Sequence, residues 1–128
     1  MKGKHPFSPK RLKRSFTHAI NGVKYVFYSE KNMTVHIVMA VIAIMMSIIL
    51  RIDWMEWLFI LLAIFGVIAL EFVNSAIERV VDLVTEDYHE LAKQAKDIAA
   101  AAVFVYSCLS VIIGLIIFLP KLIAYFLP

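Results

Sequence analysis

The sequence predicts an all-α membrane protein, with three transmembrane helices preceded by an N-terminal amphipathic surface helix. Three observations carry this. First, 62% of the 128 residues are hydrophobic and the mean hydropathy is +0.81. A soluble domain of this length has too little interior to hide so much apolar surface. Second, the apolar residues fall into three stretches near the length that crosses a bilayer as a self-satisfied helix. Third, the segment before them is basic on one side and apolar on the other.

The surface helix is expected over 8–29. Ser8 suits an N-cap and Pro9 the first helical position. Leu12, Phe16, Ile20, Val23 and Phe27 recur at helical spacing, opposite Lys10, Lys13, Arg14, Thr17, Asn21 and Lys24. Such a helix lies in the headgroup layer, held by apolar burial and by anionic lipid. It is not expected to be a cleaved signal, because the apolar run starts late and lacks a small-residue cleavage site.

Span one is expected over 33–51 and span three over 97–119. Span two, with a cytoplasmic extension, is expected over 55–84. Met33 to Leu50 carries no acid, Lys or Arg, Trp57 to Ile77 carries only Glu71, and Ile98 to Leu119 carries none. Pro6, Pro9, Pro120 and Pro128 lie near the chain ends, where they are expected to interrupt no span. The whole of 1–128 then forms one membrane domain.

Of the 13 Lys and Arg, eight precede span one, and Arg79, Lys93 and Lys96 surround the connection between spans two and three. By the positive-inside rule the N-terminus and that connection are cytoplasmic. The expected location is therefore the cell membrane, multi-pass. The net charge of +3 suits membrane contact, and no aromatic–basic repeat suggests nucleic-acid binding. Cys108 is alone, which excludes a disulfide framework or a metal knuckle.

The densest chemistry lies at the end of span two. At about 100° per residue from Glu71, Asn74 falls near 300°, Ser75 near 40°, Glu78 near 340° and Asp82 near 20°. An acid within a span costs roughly 2.5–3.5 kcal/mol at its centre and normally has a functional reason. Glu71 and Glu78 are roughly 10.5 Å apart along the axis, too far to grip one ion together but suited to two tasks. The deeper Glu71 can reach a hydroxyl near the membrane surface. The shallower Glu78 can reach a cation such as Mg²⁺, which takes few protein oxygens when phosphates complete its shell. Glu30, between the surface helix and span one, lies at similar depth and can share that metal, within a subunit or across an interface.

A second polar cluster opens span three, with Glu86-Asp87-Tyr88-His89-Glu90-Leu91 followed by Lys93, Lys96 and Asp97. Thr85 is expected to cap a short helix there. Lys96 offers a point charge for phosphate, and Asp87, His89 and Asp97 offer partners for a nucleotide. The run Ala99–Ala102 permits close approach of a helix or lipid.

These motifs resemble the prokaryotic diacylglycerol kinase and undecaprenol kinase family. The resemblance rests on Glu71-x-x-Asn-Ser-Ala-Ile-Glu-x-x-x-Asp82, Tyr88-His-Glu-Leu91 and Ala95-Lys-Asp97, with Gly22 and Glu30 at the expected offsets. It implies a homotrimer with composite active sites that transfers the γ-phosphate of MgATP to a lipid alcohol. Glu71 is then the general base and Asn74 its support. Glu30 and Glu78 are the Mg²⁺ ligands. Arg11, His18, Asp87, His89, Lys96 and Asp97 contact the nucleotide, and Arg11, Glu71 and Ala100 lie at the lipid substrate.

Two positions depart from the diacylglycerol enzyme: His18 replaces a Tyr at the adenine contact, and Ala100 replaces a Ser beside the lipid. Arg14-Ser-Phe-x-His-Ala-x-x-Gly22, Glu30-x-Asn-Met33 and His36 resemble the undecaprenol kinases of Gram-positive bacteria more closely. Undecaprenol is therefore the expected substrate, with diacylglycerol as the alternative. From another class, a single intramembrane Glu also suits a small proton-coupled transporter, and a noncatalytic helix-bundle partner is a third reading. ATP consumption separates the kinase from both.

Overall fold

The computed structural model describes residues 8–128, so Lys2, Lys4 and Pro6 lie outside the described residues. Four helices follow one another: α1 (Pro9–Ser29), α2 (Lys31–Ile49), α3 (Trp54–Val84) and α4 (Glu90–Phe126). There is no strand among the described residues. The last three helices are long and apolar enough to cross a membrane, and α1 is the amphipathic helix before them.

Each boundary has a local cause. Pro9 starts α1 behind an extended Ser8, whose side chain makes no capping hydrogen bond. Glu30 is extended and breaks α1 from α2 in a single residue. At the far end of α2, Arg51 adopts φ 49°. Its N–H donates to the Ile48 carbonyl and that of Ile52 to the Ser47 carbonyl. This is a Schellman closure with arginine in the seat glycine usually takes. Asp53 and Glu56 then start α3 with a reciprocal capping box, at 2.8 and 2.9 Å.

One expectation is corrected. Thr85 caps no helix of its own. Its N–H donates to the Val81 carbonyl and closes α3, and residues 85–89 are too few to form a further helix between α3 and α4. His89 is the cap instead, with Nδ1 accepting from the Leu91 N–H at 3.2 Å. Pro120 interrupts no span, as expected: it lies inside α4, which continues to Phe126. Proline removes one helical hydrogen bond, but tertiary anchors carry the helix past it. Lys121 pairs with Glu56 at 3.1 Å, and Leu122 packs on the core of Ile52, Ile60, Ile117 and Phe118.

The buried positions of α3 are Ile60, Ala63, Val67, Glu71, Asn74 and Ser75. Their spacing of three and four makes one face, so the polar stripe continues the apolar packing face of the same helix. α4 lies along α3, and Tyr106 sets its hydroxyl on the Leu62 carbonyl at 3.1 Å. Its ring occupies the space that a Cβ on Gly66 would need. Gly66→Ala should therefore displace Tyr106 and destabilise the helix pair by about 1–3 kcal/mol, read as a lower midpoint of thermal unfolding in detergent.

Candidate active site

The stripe on α3 faces inward as its spacing requires. Glu71 is 2% exposed, Asn74 5% and Ser75 0%. Glu78 is half-buried and Asp82 is exposed, so the stripe runs from the helix interior out towards the C-terminal end of α3. Burial of a carboxylate is costly, and α2 brings an imidazole near it: His36 Nε2 lies 3.8 Å from Glu71 Oε2. The Asn74 amide donates to Glu78 Oε1 at 3.2 Å. The Asn74 Oδ1 and Ser75 Oγ are buried without a hydrogen-bond partner.

Glu30 stands at the elbow between α1 and α2, where Arg79 holds it. The guanidinium donates to Glu30 Oε1 at 3.1 Å, to Ser29 Oγ at 2.6 Å and to the Ser75 carbonyl at 2.9 Å. It also lies over the Tyr25 ring, 4.7 Å from its centre. At the outer end of the stripe Lys96 reaches across from α4 to Asp82, at 2.5 Å. Lys93 pairs with Asp97 one turn along α4, at 2.6 Å. In the connection, the Tyr88 hydroxyl donates to Glu90 at 2.7 Å, which pushes the phenol above its ordinary pKa.

Within one chain the structure thus gathers Glu71 with His36, Asn74 with Glu78, Glu30 with Arg79, and Lys96 with Asp82. Arg11 and His18 are exposed on α1 and Ala100 is exposed on α4. Asp87 and His89 are exposed in the connection, where His89 is occupied as a cap. Arg79 and His36 are the contacts that sequence reasoning left without a role. Arg79 falls near 80° on the same helical wheel, at the edge of the stripe. His36 lies six residues beyond Glu30, and Glu71 seven before Glu78, so antiparallel packing of α2 on α3 brings the two level.

A cavity of about 470 Å³ opens between α2, α3 and α4, with His36 in its lining. His36 stands at its end nearest Glu71. The rest is lined mainly by apolar groups, among them Met39, Ala43, Ala63, Val67 and Gly114.

The donor set also bears on a metal. No three His, Cys, Asp or Glu side chains form a ready metal cage among the described residues. The oxygens present are nonetheless of the right kind. Glu78 is bound by one neutral amide, Asn74 Oδ1 lacks a partner, and Arg79 takes a single oxygen of Glu30. One or two carboxylates with substrate phosphates is the usual arrangement for Mg²⁺, so these residues fit that ion.

The sequence pattern of the prokaryotic diacylglycerol kinase family matches residues 17–118. This chain belongs to that family. It is similar to the undecaprenol kinase of Bacillus subtilis (strain 168), with 44% identity over 112 residues, or 88% of this chain and 91% of that protein. The diacylglycerol kinase of Synechocystis sp. is 39% identical over 111 residues, 86% of this chain and 63% of that longer protein. The diacylglycerol kinase of Escherichia coli (strain K12) is 28% identical over 102 residues, covering 80% and 84% of the two chains. As a member of the prokaryotic diacylglycerol kinase family, the chain is a multi-pass membrane lipid kinase with ATP as co-substrate. The transporter reading finds no support among these relatives.

Proposed function

We propose that this kinase phosphorylates the hydroxyl of undecaprenol, working as a homotrimer in the cell membrane with its N-terminus in the cytoplasm. The observation that carries the reading is Glu71, a buried carboxylate 3.8 Å from His36, which itself lines one end of an apolar cavity. An alcohol whose hydrocarbon chain lies in that cavity brings its hydroxyl to Glu71. The similarity to an undecaprenol kinase over 91% of that protein's length supports the choice of lipid. Diacylglycerol is the second reading, favoured by the names of the Synechocystis and E. coli relatives.

Glu71 accepts the proton of the lipid hydroxyl as the new O–P bond forms, and the bond from the γ-phosphorus to the bridging oxygen breaks to release ADP. Such transfers depend on alignment and charge neutralisation rather than covalent chemistry. Asn74 orients Glu78 through its amide. Glu78 and Glu30, with Asn74 Oδ1, would hold Mg²⁺, which when bound neutralises phosphate charge. Lys96 binds the phosphates from α4, where Asp82 keeps its ammonium beside the stripe. Arg11, His18, Asp87, His89 and Asp97 bind the nucleotide, and Arg11 and Ala100 also border the lipid, in sites completed between subunits.

Lys96→Met should raise the KM for MgATP by about 10–100-fold, the loss expected for one hydrogen bond between charged groups. The KM for lipid should stay within about twofold; steady-state kinetics with each substrate varied in turn checks both. The substrate itself is tested by offering purified protein undecaprenol and diacylglycerol together in mixed micelles with MgATP. Preferential labelling of undecaprenol is expected. Preference for diacylglycerol would keep the mechanism and overturn the substrate.

A further inference from the structure

We infer that Arg79 is a positioning residue that latches the elbow of α1 and α2 onto α3 and so sets Glu30 over the stripe. This rests on the reading of Glu30 as part of the MgATP site. Arg79 is the one basic residue in α3. Each face of its guanidinium fork is used: Ser75 of its own helix on one side, Ser29 and Glu30 on the other, and the Tyr25 ring against its plane. These partners come from α1, the elbow and α3. Lysine cannot reproduce the pattern, because a planar fork both donates in two directions and stacks on an aromatic ring.

Charge explains why the latch is needed. Glu30, Glu71 and Glu78 are all acids, and Arg79 is the cation paired with Glu30. Without that cation, like-charge repulsion turns Glu30 toward water and opens the single-residue break between α1 and α2. Arg79 offsets that repulsion with one oxygen of Glu30 and leaves the second free to face a bound cation. Partners that orient ligand side chains typically contribute about 10–100-fold in affinity or activity.

The test compares Arg79→Ala, Arg79→Lys and the wild type by two independent readouts. For Arg79→Ala, the KM for MgATP should rise roughly 10–100-fold, with the lipid KM and the unfolding midpoint close to wild type. Arg79→Lys should recover only part of the loss. Amide hydrogen exchange over 25–31 should quicken in Arg79→Ala, with exchange in the buried part of α3 unchanged. An unchanged MgATP KM with unchanged exchange over 25–31 would overturn the latch. So would a uniform loss in both KM values and stability, which marks a general packing role. The exchange readout needs no catalysis, so a wild type that labels no lipid would refute the kinase site while the latch is still judged.

Discussion

Glu71→Gln should lower turnover by about 10²–10⁴-fold, the usual contribution of a positioned general base. That equals roughly 2.7–5.4 kcal/mol of transition-state stabilisation. The substitution keeps size and hydrogen-bonding reach but removes the ability to hold a proton from the lipid hydroxyl. Glu71 sits deeper than the residues assigned to the metal, so MgATP affinity should stay within about twofold, since the stripe's other acids carry that task. Burial at 2% exposure also limits rescue by bulk water. Calorimetry with a nonhydrolysable ATP analogue, alongside single-turnover kinetics, separates the two effects. Retained turnover would remove Glu71 from the role of base.

Glu78→Gln should instead act through the metal. It removes one of the two carboxylates assigned to Mg²⁺, while the glutamine oxygen still accepts from the Asn74 amide where Glu78 Oε1 does now. The fold should therefore hold, with an unfolding midpoint near that of the wild type. The Mg²⁺ concentration for half-maximal rate should rise by at least about tenfold and turnover should fall at saturating ATP. The contrast between the two glutamates is the informative part. Glu71→Gln lowers the rate at every Mg²⁺ concentration, whereas Glu78→Gln shifts the Mg²⁺ dependence. An unchanged Mg²⁺ requirement in Glu78→Gln would contradict its place at the metal.

The helices and the inward stripe of α3 were legible because both follow from periodicity, which is a property of single elements. Glu71, Asn74 and Ser75 are buried on one face because their spacing puts them there. What escaped the sequence depends on how elements meet. Arg79 counted only as a topological charge, since its four partners come from residues 25, 29, 30 and 75. His36 entered only as part of a family resemblance, and its place 3.8 Å from Glu71 depends on how α2 packs on α3. Thr85 carried a good capping signal, but the short connector passed that role to His89. The alanine at position 100 and His18 stand exposed on separate helices, so a single chain does not bring them to the stripe.

The central claim is that this chain moves a phosphoryl group from ATP to a lipid hydroxyl with Glu71 as the base. Transfer of γ-labelled phosphate from MgATP to undecaprenol in mixed micelles, run side by side for wild type and Glu71→Gln, tests it most directly. The account predicts labelled lipid with stoichiometric ADP for the wild type, and a rate at least about a hundredfold lower for the variant. Equal labelling by the two proteins, or ADP formed with no labelled lipid, would contradict it.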